Sequence, residues 1–139
     1  MTILDTNVLS ALMYPDPEPA VRQWLDQQPR TTIWITSVTV FEIEFGLQVL
    51  PAGKRREFLT RAFAGVLQDI DRQIVNFDTA AAWHAADLMA GRRRTGRTVE
   101  IRDTMIAGIV LAQHASFATR NTAHFADLGI SLINPWTAG

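Results

Sequence analysis

Thirteen Lys and Arg against fourteen Asp and Glu leave the 139 residues with a formal charge of -1, no cysteine and 47% hydrophobic content. That composition fits one compact domain, spanning 1–139, which buries roughly two-thirds of its unfolded surface without covalent staples. It excludes disulfide frameworks, thiolate metal sites and cysteine nucleophiles, and it leaves any nucleic-acid binding to a local basic patch rather than bulk charge.

Ile3-Leu4 is a short apolar run ending on Asp5, and Val8, Leu9 and Leu12 follow at helical spacing, so a buried strand feeds a helix. Tyr14 to Pro19 reads as a proline-rich loop, and Val21, Trp24 and Leu25 mark a second helix stopped around Pro29. Thr32–Thr36 is β-branched and aromatic, hence a strand. Ser37 or Thr39 then caps a helix carrying Val40, Phe41, Phe45 and Val49, and Thr39 with Glu42 has capping-box spacing, which predicts Glu42 in the first turn. Lys54–Gln68 is amphipathic, with Phe58, Ala62, Phe63 and Val66 on one side. Ile74–Phe77 reads as a strand, and Asp78 or Thr79 caps an Ala-rich helix to about Arg94. A helix over Ile101–Gln113 holds Asp103 in its first turn. Phe117–Thr119 is a strand, Arg120–Asp127 a loop, and Ser131–Ile133 a last strand before Asn134-Pro-Trp136. Strands alternating with helices predict right-handed crossovers, hence a three-layer α/β/α domain with a mostly parallel central sheet. No apolar run approaches the ~20 residues of a membrane span. The first residues lack a basic segment and carry Asp5, so no signal peptide and a cytoplasmic location are expected.

Ligands of open parallel sheets collect outside the carboxyl ends of the strands. Asp5, Glu42 and Asp103 are predicted at that edge, and Asn121 follows the Phe117–Thr119 strand toward it. Carboxylates that converge in a partly buried pocket repel unless a cation neutralises them. A hard divalent metal accepts oxygen ligands, and phosphodiester hydrolysis is the natural chemistry of such a site. Capping and the helix dipole favour the same residues without any catalytic role, so the spacing alone leaves both readings open.

Four segments, ILDTNVLSAL, Thr36–Gly46, Glu100–Ala107 and Ala118–Asn121 with the terminal Asn134-Pro-Trp136, closely resemble PIN-domain proteins, above all toxins of the VapC and FitB type from toxin–antitoxin modules. The resemblance covers nearly the whole chain. It implies that Asp5, Glu42 and Asp103 occupy the family's metal-binding and catalytic positions, with Asp5 and Asp103 as direct Mg²⁺ (or Mn²⁺) ligands and Glu42 holding or deprotonating the attacking water. Many members carry a fourth acid where this chain has Asn121; an uncharged amide there leaves a second metal weakly held or held only with substrate. Thr6 and Asn7 are expected to support Asp5, Thr119 to bring a hydroxyl near the metal, and Arg120 to contact phosphate. The resemblance also implies a Mg²⁺-dependent endoribonuclease toxin, a homodimer, a cognate VapB/FitA-like antitoxin seated helix-in-groove, and a higher assembly with operator DNA.

Arg92, Arg93, Arg94, Arg97 and Arg102 cluster ahead of Asp103. They are either a solvated helix end or a rim that grips RNA phosphate. No aromatics interleave with them, so no stacking platform is evident. Glu44 lies about 200° from Glu42 around a helix and reads as solvated; Glu100 has no assigned role. His84, His114 and His124 show no ligand-like pairing, and the four tryptophans read as core or interface residues. A non-enzymatic alternative keeps the fold but makes the chain a partner-binding subunit in transcriptional autoregulation. A phosphate-receiving signalling domain is disfavoured, because Thr6 and Asn7 stand where it needs a second acid.

Overall fold

The computed structural model describes residues 1–14, 18–98 and 100–138; the loop expected over Tyr14–Pro19 lies in part outside them. Among the described residues, five short strands, β1 (Thr2–Leu4), β2 (Ile33–Thr36), β3 (Ile74–Val75), β4 (Ser116–Ala118) and β5 (Leu132–Ile133), form one parallel sheet in the order β3-β2-β1-β4-β5. Six α-helices among the described residues accompany them: α1 (Thr6–Met13), α2 (Pro19–Asp26), α3 (Ser37–Val49), α4 (Lys54–Asp69), α5 (Thr79–Arg94) and α6 (Ile101–Gln113). The predicted three-layer α/β/α architecture is the observed one. Among the described residues, no helix is long and apolar enough to cross a membrane.

Strand alternation divides the core. Leu4, Ile33, Ile35 and Ala118 face a cluster built with α1 to α4, whereas Ile3 and Phe117 face the cluster of α5 and α6. Both faces are covered, which suits strands as apolar as these. From β1 the chain builds outward through β2 and β3, then crosses back to place β4 on β1's other side. The order therefore reverses between β1 and β4, where a parallel sheet opens a crevice at its carboxyl edge.

Several local expectations are corrected. Extended Thr36 caps α3 by accepting the Thr39 N–H at 3.1 Å, so the helix begins earlier than the Thr39–Glu42 pattern predicts and Glu42 sits in its second turn. Residues Thr122–Leu128 form a 3₁₀ segment rather than a loop, anchored by Phe125 edge-on to Phe117 with ring centroids 5.0 Å apart. Phe63 and Val66 of α4 are buried as expected, but Phe58 is exposed. Arg92, expected in a solvent-facing cluster, is 2% exposed. Its Nε and Nη2 donate to both oxygens of Asp127 at 3.1 and 2.9 Å, and Nη2 also donates to the His124 carbonyl at 2.9 Å. Arg97 reaches the same carboxylate at 2.6 Å and the same carbonyl at 3.2 Å. Together they clamp the 3₁₀ segment to the end of α5.

Helices α5 and α6 approach so closely at Gly108 that a Cβ there would lie 2.5 Å from the Ala81 carbonyl oxygen and 2.8 Å from the Ala85 Cβ. Backbone cannot yield as a flexible side chain does. Gly108→Ala is expected to lower stability by about 1–3 kcal/mol in urea denaturation, overriding the helix-propensity gain of roughly 1 kcal/mol; an unchanged or raised midpoint contradicts the packing described.

Candidate functional site

Asp5 follows β1 at the carboxyl edge of the sheet. Its extended backbone donates to the Ala118 carbonyl at 2.8 Å, and its side chain caps α1 by accepting the Thr6 N–H on Oδ1 at 2.8 Å. The other oxygen, Oδ2, accepts the Thr119 hydroxyl at 2.8 Å, and that hydroxyl accepts the Asn121 N–H at 3.1 Å. One carboxylate thus ties the end of β1 to the segment after β4. Asp5 is 5% exposed, and no cationic side chain pairs with it among the described residues. Burial pushes its carboxyl up to about 6; the two hydrogen bonds oppose that rise, and the charges of Asp103 and Glu42 add to it.

Glu42 is held by hydroxyls. Thr6 Oγ1 donates to Glu42 Oε1 at 2.9 Å and lies 2.9 Å from Thr39 Oγ1, which in turn receives the Thr36 hydroxyl at 3.3 Å. An ionised carboxylate only accepts, so the Thr6 proton points to Glu42, the Thr39 proton to Thr6 and the Thr36 proton to Thr39. Thr36 and Thr39 are fully buried, which protects this one-way chain from water. Burial raises the Glu42 pKa, with the Asp103 and Glu100 charges adding; the Thr6 bond and Arg102 oppose.

Asp103 stands in the first turn of α6, as predicted. Glu100 is that helix's cap, accepting the Asp103 N–H at 2.8 Å, and Arg102 Nε donates to Glu100 at 3.2 Å while its Nη1 lies 3.8 Å from Glu42. Burial, then the Glu100 charge, raises the Asp103 pKa; His124, Arg102 and Arg92 counter it. The imidazole Nε2 of His124 lies 3.8 Å from Asp103 Oδ2. Asn121 is exposed and lines, with Asp103, Arg120 and His124, an open cleft of about 570 Å³. Asn7 Oδ1 accepts the Arg120 N–H at 3.5 Å, and the Arg120 guanidinium lies over the Trp136 ring at 4.9 Å, a stacking surface the sequence does not reveal.

Of the expected basic rim, Arg97 serves the Asp127 clamp, Arg102 neutralises acids, and Arg94 is exposed with no ion pair among the described residues. Glu44 is exposed, as expected. Sequence reasoning missed His124 and the Thr36–Thr39 pair. A weak signal existed for the histidine: residues three apart in a 3₁₀ turn share a side, which puts His124 on the side of Asn121.

Among the described residues, no three Asp, Glu or His side chains stand close enough as placed to ligate one ion. The donor set nonetheless fits a hard cation. Mg²⁺ is usually held by one or two carboxylates and keeps several waters. A buried Asp5 without counter-charge, facing two further acids whose charges raise its pKa, supplies that demand.

The PIN domain family model matches residues 2–130. VapC ribonuclease Y4jK of Sinorhizobium fredii is 39% identical over 137 residues, which cover 98% of each chain. Toxin FitB of Neisseria gonorrhoeae is 29% identical over 137 residues, covering 98% of this chain and 99% of the relative. Among solved structures, FitAB bound to an IR36 DNA fragment matches with a TM-score of 0.86 and 29% identity, covering 98% of this chain and 96% of that one.

Between about pH 4 and about pH 6 the folded chain keeps an Asp5 proton that the unfolded chain has released, so stability falls as pH rises through that window, by about 3 kcal/mol at most from this group. Urea denaturation in EDTA is expected to show that fall, and Asp5→Asn to remove most of it; equal slopes for the two proteins exclude Asp5 as its source. Thr39→Val keeps the shape but leaves the buried Thr36 hydroxyl without an acceptor, so a loss of about 1–3 kcal/mol is expected, with Thr39→Ser close to wild type.

Proposed function

The chain belongs to the PIN-domain family, and from that premise we propose that it is a divalent-metal-dependent endoribonuclease, the toxin of a toxin–antitoxin module. One observation carries the reading: a buried Asp5 carboxylate with no cationic partner among the described residues, within electrostatic reach of Glu42 and Asp103 at the carboxyl edge of the sheet. The names of the similar VapC ribonuclease and FitB toxin support it.

Asp5 and Asp103 would hold the cation. When bound, Mg²⁺ or Mn²⁺ supplies charge stabilisation at the phosphoryl oxygens and lowers the pKa of an attacking water. Glu42 accepts the proton of that water on a carboxylate whose orientation the Thr36–Thr39–Thr6 hydroxyls hold and whose charge Arg102 balances. Thr119 keeps Asp5 facing the crevice rather than folding back on its own backbone. Asn121, at the position where many family members carry an acid, offers an amide to the substrate side of Asp103. Arg120 and the exposed Arg93 and Arg94 are among the cations that could draw RNA toward an acidic pocket.

Partners follow from the exposed surface and the relatives. Phe41, Phe45 and Val49 of α3 are 59%, 56% and 65% exposed, and Trp83 of α5 is 72% exposed. Surfaces of this kind mark protein contacts, and we assign them to a homodimer. A groove of about 300 Å³ between α1, α3 and α4, with Ile43, Leu47 and Leu59 along it and Glu42 and Arg102 at one end, suits an antitoxin segment of the FitA or VapB kind. The DNA-bound FitAB complex supports an assembly with operator DNA.

Purified, antitoxin-free protein is expected to cut cellular RNA into defined fragments with Mg²⁺ or Mn²⁺ and not with EDTA. Glu42→Gln is expected to lower turnover about a hundredfold or more while metal affinity stays within a few-fold, whereas Asp103→Asn lowers both. Folded wild-type protein that leaves several RNA pools intact with metal present contradicts the reading and favours a partner-binding subunit.

A further inference from the structure

Beside the acids a second cleft, of about 420 Å³, opens between the end of α1, the start of α2 and the turn after β5. Asn7, Ser10, Tyr14, Glu18, Arg120 and Trp136 line it. The Arg120 guanidinium carbon lies over the Trp136 ring, 4.9 Å from its centroid, and Tyr14 is 54% exposed. Glu18 is exposed, and its carboxylate neither caps α2 nor joins an ion pair among the described residues. The cleft is continuous with the site. Asn7 lies two residues after Asp5, and Arg120 also lines the cleft that holds Asp103 and Asn121.

The geometry points to a nucleobase subsite: this cleft takes one unpaired base of the RNA next to the phosphate at the acids, and its carboxylate selects guanine. The inference rests on the ribonuclease reading and names its substrate more closely. Unstacked RNA bases are held on aromatic rings and guanidinium planes, which Tyr14 and the Arg120–Trp136 pair present. A carboxylate accepts two parallel hydrogen bonds from a base only where two N–H donors lie side by side, and guanine alone offers that pair, at N1 and N2. Adenine and cytosine offer one amine beside an acceptor, and uracil one N–H between two carbonyls. A carboxylate at an RNA site repels backbone phosphate, so Glu18 suits a base edge, with Arg120 left for the adjoining phosphate. A protein helix fits poorly. Ala11 is the largest aliphatic side chain of the lining, whereas the groove assigned to the antitoxin carries Ile43, Leu47 and Leu59.

The test titrates the full, antitoxin-free chain in EDTA with GMP, AMP, CMP and UMP, followed by calorimetry or NMR, so that no turnover is needed. GMP is expected to bind about tenfold tighter than the others. Glu18→Gln is expected to bring GMP down to their level, and Tyr14→Ala to weaken all four about fivefold or more. Four nucleotides bound alike by wild type and both variants overturn the inference, as do substitutions that spare nucleotide binding and weaken only an antitoxin complex. Guanine selectivity in a protein that fails to cut RNA leaves the subsite standing and removes the nuclease; RNA cleavage without selectivity does the reverse.

Discussion

A carboxylate buried at the switch point of a parallel sheet, with no cationic partner among the described residues, is the constraint on which the rest of this site depends. Asp5 joins β1 to β4 and the residue after it through two hydrogen bonds, its backbone N–H to Ala118 and the Thr119 hydroxyl to its side chain, and its other carboxylate oxygen caps α1. Those bonds lower the cost of its charge without cancelling it, because burial still holds the carboxyl near 6. A fold that retains such a group forgoes stability at neutral pH. In the proposed reading, a cation bound at that position would recover it and so couple folding, metal and catalysis through one side chain.

The surrounding residues hold the other two acids where their charges reach the first. Arg102 sits between Glu100 and Glu42 instead of against Asp5, so positive charge screens the outer acids and leaves the inner one unpaired. Half-buried Thr6, backed by the buried Thr39 and Thr36, fixes Glu42 by hydrogen bonds that run one way only while it is ionised. On the other side, Arg92 and Arg97 pin the 3₁₀ segment that carries His124 toward Asp103. Arginines that look like an RNA-gripping rim thus divide into structural and solvent-facing members. Buried Arg92 and half-buried Arg97 hold the wall of the cleft, whereas Arg94 and Arg120 face solvent.

What the sequence discloses depends on how local each cause is. Strand alternation and helical spacing are short-range, so the parallel three-layer fold and the placement of Asp5 at a strand end and Asp103 in a first helical turn are legible. The start of α3 is less so. Thr36, Ser37 and Thr39 all make acceptable caps, and only the extended end of β2 decides for Thr36. Features made by residues far apart in the chain are invisible to pattern: Arg92 is buried because Asp127 lies 35 positions on, and Arg120 finds Trp136 only after β5 has been laid beside β4. The Thr6–Glu42 bond, spanning 36 positions, is of the same kind. Family resemblance marks both of its residues but neither the bond between them nor the Thr39 and Thr36 hydroxyls behind Thr6.

The most direct measurement is calorimetric titration of the antitoxin-free protein with Mn²⁺ near pH 6, in two buffers of different ionisation enthalpy, repeated near pH 8 and with Asp103→Asn. At the lower pH about half of the Asp5 carboxyls carry a proton, so cation binding there is predicted to release protons and to be weaker than near pH 8, where release is nearly absent. Asp103→Asn is predicted to weaken binding at both. Absence of Mn²⁺ binding, or binding that is indifferent to pH and to Asp103, would contradict a catalytic centre built on a buried carboxylate that awaits its cation.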